Sequence, residues 1–74
     1  MAVTYKKLFH LLIDKGITNA ELMEKAGFSA NIITRIKRDN YISLDTIEKI
    51  CCTLECGVDE ILEFKHNNNG EQNL

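Results

Sequence analysis

Proline is missing from the 74-residue chain altogether, and no Ser/Gly-rich linker divides it. Without either kind of break there is no ground for a second domain boundary, and no internal repeat points to an array. Long apolar runs are missing too. A membrane span needs about 20 predominantly apolar residues, whereas the best stretch, Leu8 to Ile13, is short and has Lys7 and Lys15 on its flanks. A signal-peptide core and cleavage site are absent from the N-terminus, so the expected location is the cytoplasm, with no membrane as partner. Strand-like alternation of useful length is also lacking. Cysteine is sparse: Cys51, Cys52 and Cys56 form no CxxC pair, and His10 and His66 lie outside their segment. Structural zinc usually takes four Cys or His ligands, so no metal is expected, and the three read as buried or half-buried thiols in a reducing compartment. His10 reads as a helix-surface residue. Neither a nucleophile–His–acid set, a glycine-rich phosphate loop nor a pair of carboxylates in a plausible pocket can be assembled. Those gaps set aside an enzyme, a cofactor and a small-molecule substrate.

What is present is the composition of an ordinary globular domain, 45% hydrophobic and 27% charged, which separates it from disordered chains. A chain this short buries only about 60% of its unfolded surface, so one small core is expected. Thr4 is placed to cap a first helix over residues 5–15, with Tyr5, Leu8, Phe9 and Leu12 as its inner stripe, Leu11 and Ile13 broadening it, and Gly16 as its stop. Thr18 followed three residues later by Glu21 is a capping box, in which hydroxyl and carboxylate each satisfy an orphan amide at a helix start. The helix it opens carries Leu22, Met23 and Ala26, and Gly27 supplies the left-handed conformation that ends it. Phe28 plugs the turn, and Ser29 is placed to cap a third helix with Ile32, Ile33 and Ile36 at helical spacing. Asp39-Asn40 breaks that pattern. Ser43 then caps a fourth helix with Leu44, Ile47, Ile50, Cys51 and Leu54, and Gly57 caps a short fifth whose Val58, Ile61 and Leu62 close the core. The expected fold is therefore all-α, five short helices in one domain over residues 1–65. Residues 66–74 are polar and Asn-rich apart from the terminal Leu74, and read as a disordered tail.

The net charge of −2 argues at first sight against a nucleic-acid partner, for which a basic domain is the usual footprint. Its distribution points the other way. Seven basic against four acidic side chains leave +3 on residues 1–41, whereas two against seven leave −5 on residues 42–74. A basic recognition side backed by an acidic one would divide this way. The third helix concentrates the contrast, because Asn31, Thr34, Arg35 and Arg38 fall largely opposite Ile33 and Ile36. Such a basic, polar face on an anchored helix suits a major groove, although the same charges also suit a plain solvated face.

The order Asn19, Leu22, Ala26-Gly27, Phe28-Ser29, Ile33, Ile36 resembles the helix-turn-helix of the lambda-repressor and Cro-like (Xre-type) DNA-binding family. The leading Lys7–Leu12, and the trailing Ile42–Ile50 and Val58–Leu62, are similar to that family's flanking helices, so residues 4–65 are covered. Met23 departs from the pattern, standing where the family commonly has a small residue such as Ala. The resemblance implies a bacterial or phage-type transcriptional regulator that inserts about residues 30–38 into the major groove of double-stranded DNA, with a homodimer on paired half-sites as the common arrangement. Arg35 is placed to reach a guanine edge or a phosphate, Asn31 to pair with adenine, Thr34 to meet a base methyl or a phosphate, and Ala30 to touch a thymine methyl. Asn19 and Ser29 sit at helix starts, where free amides and the dipole attract an anion, and the resemblance implies phosphate contacts there. Lys37 and Arg38, with Asn40 and Tyr41 in the following loop, are further phosphate candidates. A different class of function remains open on the same scaffold, a protein-interaction module that works through the acidic fourth and fifth helices and does not bind DNA.

Overall fold

The capping box at Thr18 forms from both sides: its Oγ1 accepts the Glu21 N–H at 3.1 Å, and Glu21 Oε1 accepts the Thr18 N–H at 2.9 Å. In the computed structural model, which describes residues 2–65, this box opens α2 (Asn19–Ala26). Before it come β1 (Ala2–Thr4) and α1 (Lys6–Lys15); after it come α3 (Ala30–Lys37), α4 (Leu44–Leu54), a 3-10 turn (Val58–Glu60) and β2 (Glu63–Lys65). Gly16 at φ 68° and Gly27 at φ 80° end α1 and α2 in the left-handed region expected of them. Ser43 Oγ accepts the Thr46 N–H at 3.2 Å and starts α4. No helix among the described residues is long and apolar enough to cross a membrane.

The fold differs from the all-α expectation at its edges. Four α-helices are present, the fifth element is a single 3-10 turn, and β1 and β2 pair antiparallel with Ala2 opposite Lys65, Val3 opposite Phe64 and Thr4 opposite Glu63. Strands of three residues are too short to show alternation, and what holds them is a partner at the other end of the chain. Thr4 accordingly lies in β1 and is buried, and the residue preceding α1 is Tyr5, outside the helix that was expected to contain it. Thr4 Oγ1 still accepts the Lys6 N–H, at 3.4 Å. The expected tail, residues 66–74, lies outside the described residues.

One core is shared by β1 and the four α-helices. Leu8 and Leu12 of α1, Leu22 of α2, Ile33 and Ile36 of α3, and Ile47, Ile50 and Leu54 of α4 are buried together with Val3, Tyr5 and Ile61. Phe9, Leu11, Met23, Ala26, Phe28, Ile32, Cys51 and Leu62 pack half-buried around them. Each fully buried Leu or Ile contributes about 1.5–3 kcal/mol, so Ile33 and Ile36 anchor α3 far more strongly than a surface ion pair such as Lys7–Glu63, worth at most about 1 kcal/mol. Three expected core residues point outward instead: Ile13 is 76% exposed, Leu44 83% exposed, and Val58 is exposed as well. Ile13 falls off the inner stripe set by Leu8 and Leu12, and Leu44 opens its helix one residue after the cap, where no neighbouring element covers it.

Candidate nucleic-acid interface

The helix-turn-helix unit consists of α2, the Gly27 turn and α3. At the turn, the Met23 carbonyl accepts the N–H groups of Gly27 at 2.8 Å and Phe28 at 3.2 Å, so the two helices are joined without a long loop. Met23 is half-buried there and packs against the core, accommodating the departure from a small residue. Burial of Ile33 and Ile36 fixes the rotation of α3, and its opposite side, Ala30, Asn31, Thr34, Arg35, Lys37 and Arg38, is exposed. Asn31 and Arg35, four residues apart, share that face.

Ser29 precedes α3 in extended conformation, as a cap should, but its hydroxyl makes no capping hydrogen bond. The expected cap is thus correct in position and unmade in bonding, leaving the hydroxyl and the first amides of α3 open to another acceptor or donor. Asn19, the first residue of α2, is half-buried. Thr34 Oγ1 donates to the Ala30 carbonyl at 3.3 Å, folding its hydroxyl back onto the helix while the side chain stays exposed.

Arg35 makes the most informative contact of the face. Its Nε and Nη2 both donate to the Tyr41 carbonyl, at 3.3 and 2.8 Å, so the guanidinium grips the loop between α3 and α4. Asn40 and Tyr41 on that loop are exposed. The loop is gripped from its other side by Tyr5: the phenol donates to the Asn40 carbonyl at 2.7 Å, and the Tyr5 N–H donates to Asp39 Oδ1 at 3.2 Å. Burial raises the pKa of the Tyr5 phenol above its ordinary value, the Asp39 carboxylate adds to the rise, and Arg35 opposes it. Nothing in the sequence pointed to Tyr5 as the post on which this loop hangs, since its apolar spacing already explained it. The Asp39-Asn40 pair was a weak signal, both being residues that tolerate left-handed backbone.

The cations of α3 form no ion pair among the described residues. The ion pairs formed among the described residues join Lys7 to Glu63 and Lys49 to Asp45, and neither involves Arg35, Lys37 or Arg38. The acidic half supplies α4, the 3-10 turn and β2. Of the cysteines, Cys51 and Cys56 are half-buried, whereas Cys52 is exposed, contrary to the expectation for all three, because it lies on the outer side of α4. No group of three or more His, Cys, Asp or Glu among the described residues is placed to hold a metal ion.

A family model for the Cro/C1-type HTH DNA-binding domain matches residues 7–67. Among solved structures, the crystal structure of transcriptional regulator VanUg is similar, with a TM-score of 0.81 and 34% identity over 84% of this chain and 83% of that one. No curated protein matches the chain.

Proposed function

The chain belongs to the Cro/C1-type helix-turn-helix DNA-binding family, and from that premise we propose that it is a sequence-specific transcriptional regulator of bacterial or phage type that lays α3 in the major groove. The observation that carries this reading is the exposed, cationic face of α3, anchored from behind by Ile33 and Ile36 and free of internal ion pairs among the described residues. In this reading Ala30, Asn31, Thr34 and Arg35 meet base edges. Phosphates are taken by Asn19 and Ser29 at helix starts, by Lys37 and Arg38 near the end of α3, and by Asn40 and Tyr41 on the loop. Tyr41 occupies two of the five guanidinium N–H donors of Arg35, leaving three for a guanine edge. A single module of this size binds weakly, so a homodimer on half-sites about one helical turn apart belongs to the proposal.

Selection of bound sites from random duplex DNA, followed by affinity measurement across a salt series, tests it. Arg35→Ala should cost about 1–3 kcal/mol at the preferred site and relax specificity at one base pair. Because releasing the loop affects every sequence alike, a loss confined to one base pair isolates base reading from loop holding. Lys37→Ala should weaken all sequences equally and reduce the log–log salt slope by about one. Equal losses on selected and random DNA would leave only a generic basic patch, and a wild-type slope near zero would favour the protein-interaction module.

A further inference from the structure

Cys51 and Cys56 are brought together by the way α4 ends. Glu55 takes the left-handed conformation at φ 54°, and the Cys56 N–H returns to the Cys51 carbonyl at 3.0 Å. A helix end of this kind sets the side chain two positions past the cap against the one three positions before the end, a place that usually holds an apolar contact. Here both places are cysteine, and both side chains pack half-buried against the core. Cys52, next in sequence to Cys51, points to solvent and takes no part.

We propose that Cys51 and Cys56 are a redox modification site, a dithiol that a small-molecule disulfide such as glutathione disulfide converts to an intrachain cystine across the C-terminal cap of α4. One thiol loses its proton and attacks the small disulfide, forming a mixed disulfide and expelling one small thiolate. The second, as thiolate, attacks the protein sulfur of that mixed disulfide and expels the other. The protein loses two protons and two electrons, and the oxidant leaves as two thiols carrying both. Burial raises the pKa of both protein thiols, which keeps the thiolate fraction small and makes the couple slow to respond unless the oxidant is abundant. The resulting short ring ties α4 to the segment that leads into the 3-10 turn and Ile61.

Incubation of the whole folded chain with glutathione disulfide, followed by alkylation, cleavage after Glu55 and mass spectrometry, provides the test, since that cut separates Cys56 from Cys51 and Cys52. Two peptides should remain joined until a reductant is added, in the wild type and equally in Cys52→Ser. The joined species should vanish in Cys51→Ser and in Cys56→Ser. The oxidised wild type should melt at least about 5 °C above the reduced form, because a short covalent loop removes unfolded-state freedom. Persistence of the link in Cys51→Ser would place it on Cys52 and overturn the assignment, as would links only between chains or glutathione adducts without a link.

Discussion

α3 is bounded by two turns that share a backbone conformation and differ in what sustains it. The turn before it rests on Gly27 at φ 80°, with hydrogen bonds reaching back only as far as Met23. The turn after it rests on Asp39 at φ 56°, a residue with a Cβ, and is tied to Tyr5, 34 positions away. Left-handed backbone costs a residue with a side chain about 1–2 kcal/mol. At Gly27 that cost does not arise, and at Asp39 long-range hydrogen bonds offset it. The first turn is thus a property of the segment, while the second adds to local bonds of its own, such as Asn40 N–H to the Arg35 carbonyl at 2.9 Å, a tie that forms only once Tyr5 has docked.

The sharpest way to break this contrast is Gly27→Val. No atom lies within 4 Å of where a Cβ would stand, so the cost is backbone strain and not collision. Urea unfolding should show a loss of about 1–3 kcal/mol, and an unchanged midpoint would show that the turn does not depend on glycine. Next in size is Asp39→Ala, which keeps the strained backbone and removes the acceptor of the Tyr5 N–H; the expected loss is about 1–2 kcal/mol. Asp39→Gly removes the same bond yet relieves the strain, so it should cost clearly less. Equal costs for the two substitutions would mean that the carboxylate does not sustain the turn.

The smallest effect near neutral pH belongs to Tyr5→Phe, about 0.5–1.5 kcal/mol for the phenol's bond to the Asn40 carbonyl. Its dependence on pH sharpens the test. The phenol's pKa is raised in the folded state above 10.0, so folding favours the protonated form. Its contribution is fully present below the unfolded pKa and is lost as pH rises through the folded one, that is, above about pH 10. Wild-type unfolding free energy should fall more steeply in that range than that of the Phe variant. Parallel curves would detach Tyr5 from the loop.

The same contrast governs what could be read from the sequence. Thr18 with Glu21, Gly16, Gly27, Ser43 and the isoleucines of α3 act within a few positions of themselves, and each marks its boundary where the fold has it. Val3 opposite Phe64 and Tyr5 on Asn40 depend on chain returning from elsewhere, so no local pattern carries them. Leu44 shows the converse error: its helical spacing was right, but periodicity says only which side a residue faces, and nothing packs over that side at the start of α4. The polar face of α3 was legible because it lies opposite a buried stripe. The use Arg35 makes of its fork was not.

The small ribbon at the edge of the fold has a bearing on how the domain can be joined to other things. Antiparallel pairing sets Ala2 opposite Lys65, with Cα atoms of such partners about 4.5–5.5 Å apart. The two ends of the described chain therefore leave from one spot, and in connectivity the domain is almost a ring. A few linking residues would close it, allowing the chain to be reopened at an exposed turn such as that around Gly16. Two modules attached, one to each end, would start side by side and meet each other at the millimolar effective concentrations of short tethers.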